Sequence, residues 1–171
     1  MNIILETDRL LIRTFTRQDA VLVYELNSDA AVTRFTHDTV KDLAHASEIL
    51  EKNILLQYAL YNYGRWAVHI KHGLEFIGWC GLKYRPALNE TDLGYRFKSS
   101  AWGKGYATEA AYASIRYGFE KLNLQRITAR AEIDNTASWR VLEKCGMLYT
   151  GNQEIEGFPA RTYEIFNPLV T

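Results

Sequence analysis

The sequence predicts a single α+β domain in which helices pack against a mixed, mostly antiparallel sheet. The chain has 171 residues, a length that favours one domain with a core of its own. Apolar residues repeat at helical spacing in the first third, and strand-like alternation begins at Arg65. No linker, repeat or low-complexity segment interrupts the pattern. We therefore expect one domain over residues 1–171.

The first third is predicted to hold one strand and three helices. Thr16 is a plausible N-cap, because Asp19 follows at the third helical position as in a capping box. Gly64 is expected to end the longest of the helices. The predicted elements are a strand over Leu10 to Phe15 and helices from Thr16 to about Ser28, from Asp29 to Arg34, and from Asp38 or Thr39 to Asn62.

The remainder alternates between strands and helices. The first three of its strands follow one another through short turns, which predicts an antiparallel meander. Asp134 and Asn135 are expected to cap the last helix, and Gly146 to end it. The predicted strands are Arg65–Lys71, Phe76–Tyr84, Asp92–Lys98, Arg126–Ile133, Met147–Gln153 and Arg161–Phe166, and the helices are 107–121 and 136–144.

Composition excludes several classes of protein. The chain has 20 lysine and arginine residues and 20 aspartate and glutamate residues. Its formal net charge is therefore zero, and no excess of positive charge attracts nucleic acid or a membrane surface. Cys80 and Cys145 form neither a disulfide framework nor a metal cluster, and the four histidines, His37 among them, show no metal-ligand spacing. The N-terminus does not resemble a signal peptide, and no 18-residue apolar run occurs. We expect a cytoplasmic protein with no metal.

One glycine-containing loop indicates an anion site. It lies between a predicted strand and the start of a helix, in the segment Trp102-Gly103-Lys104-Gly105-Tyr106-Ala107-Thr108-Glu109. Free backbone N–H groups at a helix N-terminus, with the positive end of the helix dipole, favour a bound phosphate. The spacing matches neither a nucleoside-triphosphate loop nor a dinucleotide fingerprint.

A second motif, together with this loop, resembles a known family. The segment Asp134-Asn135-Thr136-Ala137-Ser138-Trp139-Arg140-Val141-Leu142-Glu143-Lys144-Cys145-Gly146-Met147 looks like the corresponding helix of the GNAT superfamily of acetyl-CoA-dependent N-acetyltransferases. The pattern Asn-x-x-Ser-x-x-x-Leu-Glu-Lys-x-Gly is similar to the RimJ/RimL-like branch, which modifies ribosomal proteins. The opening Glu6-Thr7-Asp8-Arg9-Leu10-Leu11-Ile12-Arg13 is similar to that branch as well.

The resemblance implies a fold and a co-substrate. Helices would cover both faces of the sheet, and two central strands would splay into a V-shaped cleft that holds the pantetheine arm of acetyl-CoA. The family normally has Gln or Arg where this chain has Trp102, a departure that removes a polar side chain but leaves the backbone contacts. The implied cofactor-binding residues are Tyr95, Arg96 and Phe97 for the arm, Gly103, Lys104, Gly105, Tyr106, Ala107 and Thr108 for the pyrophosphate, and Asn135 beside the arm.

The resemblance implies direct attack by an amine, with a backbone N–H near Phe97 as oxyanion donor. Some relatives have a glutamate base where this chain has Arg130, so the base is open between Asp92, Glu132 and a water relay. The usual helix tyrosine that protonates the departing sulfur is replaced by Leu142. Ser138 is the expected donor instead.

The acceptor is left open at this stage. The leading prediction is the α-amino group of a protein or peptide, bound between residues 27–39 and 154–161. A small amine such as a polyamine, an amino acid or an antibiotic is an alternative within the same class. A non-catalytic acyl-CoA-binding sensor is an alternative from another class. Either a monomer or a homodimer is compatible with the sequence.

Overall fold

The computed structural model describes residues 1–170 and holds one eight-stranded sheet with helices on both faces. The strands are β1 (Ile3–Glu6), β2 (Leu10–Arg13), β3 (Arg65–Ile70), β4 (Phe76–Arg85), β5 (Glu90–Phe97), β6 (Arg126–Glu132), β7 (Leu148–Ile155) and β8 (Phe158–Phe166). The α-helices are α1 (Ala20–Asn27), α2 (Ala30–Thr33), α3 (Leu43–Ile49), α4 (Leu56–Tyr61), α5 (Tyr106–Glu120) and α6 (Thr136–Lys144).

The sheet has the strand order β1-β2-β3-β4-β5-β6-β8-β7. Neighbouring strands are antiparallel except for β5 and β6, which run parallel. The parallel pair results from the crossover through α5, since parallel strands need a connection of a dozen residues or more. The predicted meander of β3, β4 and β5 is confirmed.

The parallel pair is also where the sheet opens. β5 and β6 pair only at Asp92 with Thr128 and at Leu93 with Ala129, and the C-terminal halves of both strands diverge beyond that point. The V-shaped split that the family resemblance implied is therefore present. The apex of the split lies at Leu93 and Ala129.

Two separate cores cover the two faces of the sheet. On one face, Ala110 and Ile115 of α5 and Leu142 of α6 pack with Leu82 and Ile127 of the sheet. On the other face, α1, α3 and the segment after α3 bury a second cluster that includes Val23, Leu26, Ala46, Leu50 and Ile54. The prediction of helices on both faces is confirmed.

The long helix of the first third differs from its prediction in start and in form. It begins at Leu43 instead of residue 38 or 39, because Asp42 caps it by accepting a hydrogen bond from the His45 N–H at 2.7 Å. Between α3 and α4 the helix is π-helical over Leu50–Leu55. The apolar periodicity of the sequence predicts a helix here, but it does not show that one stretch of the helix has an extra residue per turn.

Two further differences concern strands. β1 was not predicted, since its four residues carry no clear alternation, and it pairs with β2 as an added edge. The last two strands extend further than expected and meet in a tight hairpin at Glu156 and Gly157, both with positive φ.

Candidate active site

The split in the sheet opens into a cleft of about 640 Å³. The backbone edges of β5 and β6 form its walls, and the segment after α2 and the β7–β8 hairpin lie at its mouth. Clefts of this size with a few convergent polar groups are the usual form of a small-molecule site.

The glycine loop lies at the C-terminal end of β5, as predicted. Gly103 and Gly105 have φ values of 73° and 79°, a conformation that side chains other than glycine rarely adopt. Gly105 is the N-cap of α5, and its carbonyl accepts the N–H of Glu109 at 3.1 Å. The N–H groups from Tyr106 to Thr108 therefore precede the first intrahelical bond and are free to bind an anion.

Arg9, in the turn between β1 and β2, supports this loop from behind. Its guanidinium donates to the Lys104 carbonyl at 2.8 Å and to Glu109 at 2.6 Å, and it lies over the Tyr106 ring. Thr7 donates to the same carboxylate at 2.5 Å. Burial alone would raise the pKa of Glu109, but the hydrogen bonds from Thr7 and Arg9 outweigh it and lower that pKa. A charged pair thus fixes the loop.

The exposed edge of β5 is set by strand alternation. The Lys98 N–H donates to the Ile77 carbonyl at 2.8 Å, so the backbone groups of Lys98 and of every second residue before it point toward β4. The backbone groups of Phe97 and Tyr95 therefore point the other way, toward the split. The Trp102 indole donates to the Phe97 carbonyl at 2.9 Å. Trp102 therefore caps this edge instead of offering a polar group to the cleft.

The same alternation separates Arg96 from the two residues beside it. Its backbone groups point toward β4, so the expectation that they pair with a pantetheine arm is wrong. Its side chain lies on the opposite face, where it donates to Asn27 and to Asp38 at 3.0 Å and stacks over Trp79. Arg96 holds α1 and the segment after α2 against the sheet.

The start of α6 brings two hydroxyl groups together. Asn135 caps the helix by accepting the Ser138 N–H at 3.3 Å. The Ser138 hydroxyl donates to the Tyr95 hydroxyl at 3.1 Å, and the Tyr95 hydroxyl donates to the Ser138 carbonyl at 2.6 Å. Burial raises the pKa of Tyr95, so this phenol stays protonated. Only the backbone of Tyr95 was predicted to matter, because no sequence spacing relates it to Ser138.

Asp92 lies in a buried ion-pair cluster. It is 4% exposed, and its carboxylate contacts Arg65 at 3.3 Å and Arg85 at 3.1 Å. Both oxygens of the carboxylate accept hydrogen bonds from the Arg65 guanidinium, and one of them also accepts from Arg85, so these contacts occupy the buried carboxylate. The structure therefore argues against the predicted role of Asp92 as general base.

Glu132 has a different partner. Its carboxylate lies 2.8 Å from Nε2 of His37, and the His37 ring stacks on Phe158 with centroids 3.7 Å apart. His37 has a φ of 56°, an uncommon conformation for this residue type. The pair joins β6, the segment after α2 and the β7–β8 hairpin across the cleft mouth. His37 had no assigned role, since a single histidine 95 residues away from Glu132 carries no sequence signal.

Comparisons with known proteins identify the class. Residues 9–148 match the acetyltransferase (GNAT) domain family. The chain is 35% identical over 141 residues to the uncharacterized N-acetyltransferase p20 of Bacillus licheniformis, a match that covers 81% of this chain and 78% of that protein. The protein belongs to the GNAT family. It is an acyl-CoA-dependent N-acetyltransferase.

Solved structures agree with this assignment. The GNAT-family acetyltransferase from Bacillus anthracis superposes with a TM-score of 0.82 at 28% identity, covering 98% of this chain and 99% of that one. The ribosomal L7/L12 α-N-protein acetyltransferase RimL, in complex with coenzyme A, superposes with a TM-score of 0.81 over 96% of this chain and 98% of its own. Its 17% identity shows a shared fold alone.

One finding concerns membranes. Among residues 1–170, no helix is long and apolar enough to span a bilayer.

Proposed function

We propose that the enzyme moves an acetyl group from acetyl-CoA to the α-amino group of a protein or peptide, as a member of the RimJ/RimL-like branch. The observation that carries this proposal is the construction of the cleft. Gly94 and Tyr95 of β5, with Asn135 and Ser138 of α6, line one side, and a histidine–carboxylate pair lies at the mouth on the other. The branch and the acceptor rest on the Asn135–Gly146 motif and on this open mouth.

The glycine loop is proposed to hold the pyrophosphate, and Tyr95, Phe97 and Asn135 the pantetheine arm. Bound acetyl-CoA supplies an acetyl group already activated as a thioester, so no nucleophilic side chain is needed. This agrees with the inert thiols of the two cysteines, because burial raises the pKa of Cys80 to about 12 and that of Cys145 to about 11.

Acid–base roles follow from the contacts. The amine attacks the acetyl carbon, the C–S bond breaks, and the amine proton must leave. We assign its removal to His37, which Glu132 holds at the cleft mouth, because imidazole is the side chain most often used as a general base. The Phe97 N–H would donate to the oxyanion. The Ser138 hydroxyl would turn its hydrogen from Tyr95 to the departing sulfur and stabilise the thiolate by a hydrogen bond.

The alternative acceptor is a small amine such as a polyamine, an amino acid or an antibiotic. The proposal also includes a cytoplasmic location and either a monomer or a homodimer.

The test is acetyl-CoA turnover, followed by free-thiol release, against peptides with N-terminal Ser, Ala, Thr or Asp, spermidine and free amino acids. Release with a class of peptides supports the proposal, and release with spermidine alone contradicts it. A reaction without enzyme is the control for non-enzymatic transfer.

A further inference from the structure

A group of cationic side chains lies on the floor of the cleft, on the sheet face opposite α5. Cross-strand register places them together: Lys83 pairs with Asp92, Asp92 pairs with Thr128, and side chains two residues apart on a strand share a face. We call this group the basic floor. Its members are Arg65, Lys83, Arg85 and Arg130.

The basic floor is only partly neutralised. Asp92 contacts Arg65 and Arg85, and Glu90 contacts Arg130 at 2.5 Å. Four cations therefore face two carboxylates. Glu90 also contacts Arg126, and Arg126 in turn pairs with Glu164. Counting Arg126 and Glu164 as well adds one positive and one negative charge, so the excess of positive charge is unchanged.

Several donors of the basic floor have no partner. Within residues 1–170, Lys83 makes no ion pair, and burial followed by the charges of Arg65 and Arg85 lowers the pKa of Lys83. Nε of Arg85 and Nη1 of Arg130 are buried without a hydrogen bond. Buried polar groups nearly always have partners, so an unpaired lysine and two arginines with unmet donors, all in the lining of one cleft, point to an anion bound there.

The position of these donors relates them to the reaction. The last paired residues of the split are Leu93 and Ala129, and Asp92 and Arg130 directly flank them. The basic floor thus lies at the apex, whereas the His37–Glu132 pair lies at the mouth. An acceptor with its amine toward Glu132 would direct a neighbouring anionic group to Lys83 and Arg130.

We propose that the basic floor binds a carboxylate of the acceptor, so that the preferred acceptor is an amine with a carboxylate close to it. An acidic residue at or next to a peptide N-terminus has this chemistry, and so does a free amino acid. The inference rests on the proposed acetyl transfer to an α-amino group. It disfavours polyamines, because like charges in a partly buried site repel.

The experiment separates binding from turnover. Calorimetry on the full chain with coenzyme A compares two product peptides, N-acetyl-Asp-Ala amide and N-acetyl-Asn-Ala amide, which differ in charge but hardly in shape. We expect the acidic peptide to bind at least about tenfold more tightly, as one charge-assisted contact allows. Lys83→Met should abolish this preference, and Lys121→Met, which removes an exposed lysine of the same charge outside the cleft, should preserve it.

Turnover then distinguishes the two sources of the carboxylate. Thiol release with Asp-Ala amide and not with free aspartate identifies a peptide, and the reverse identifies an amino acid. Lys83→Glu should shift the preference toward a peptide that begins with lysine. Equal binding of the two product peptides would overturn the inference, whereas absence of thiol release with every amine would overturn the proposed function and leave the binding comparison readable.

Discussion

The two sides of the cleft are built in different ways. The proposed cofactor side consists mainly of backbone groups from β5 and from the loop before α5, together with the start of α6. The acceptor side consists of side chains from β3, β4, β6, the segment after α2 and the β7–β8 hairpin, and His37 and Glu132 are 95 residues apart. Binding a phosphate needs a backbone conformation, whereas selecting an acceptor needs particular side chains placed by the whole fold.

Mutation can test this contrast, and the largest effect is expected at the loop. Gly105→Val places a β-branched residue at a φ of 79°, with the added Cβ 3.3 Å from the Arg9 guanidinium. We expect acetyl-CoA affinity to fall by about a hundredfold or more, because the N–H groups at the start of α5 lose their alignment. Gly73→Val, at a φ of 88° with open space around it, carries the same strain outside the cleft. Equal loss of affinity in both variants, measured by calorimetry, would contradict a specific role for the loop.

The next effect concerns the acceptor side. Glu132→Gln and His37→Gln should each lower kcat/KM by about a hundredfold, the usual contribution of a positioned base, with acetyl-CoA affinity unchanged. Glu154→Gln, on the β7–β8 hairpin, is the control for loss of a carboxylate near the mouth. An unchanged kcat/KM in His37→Gln would exclude the imidazole as base.

A smaller effect is expected where the two sides meet. Ser138→Ala removes the hydroxyl that donates to Tyr95 but keeps the carbonyl that accepts from it. We expect kcat to fall about tenfold with little change in stability, since one neutral hydrogen bond contributes about 1 kcal/mol. Ser47→Ala in α3 is the matched control. An unchanged kcat would remove Ser138 from the mechanism.

The smallest effect is expected from the thiols. Because burial raises the pKa of Cys80 and Cys145, almost no thiolate is present at pH 7 to 8. Iodoacetamide should therefore leave thiol-release activity unchanged under native conditions and label both residues only after unfolding. Inactivation at a rate comparable to that of a free thiol would show that one of them reaches solvent.

The same contrast explains what the sequence could predict. The meander, α5, α6 and the glycine loop follow from periodicity and turn residues, which act over a few positions. The pairing of His37 with Glu132 follows from strand order and from a loop with positive φ, neither of which has a local signal. Asp92 was predicted as a base because its type and place on β5 were suitable, but the guanidinium groups around it come from β3 and β4.

The π-helical segment Leu50–Leu55 lies between α3 and α4 and determines which side of α3 faces the sheet. A π turn holds one residue more than an α turn, which corresponds to a rotation of roughly 100° between the flanking helices. Asn53 and Ile54 of this segment line the cleft, while Ala46 in α3 is buried against α1 and the sheet. Deleting one residue here would turn a different side of α3 inward and move Asn53 and Ile54 relative to the cleft. Single-residue length changes at this point would therefore alter one wall of the cleft without touching the loop before α5.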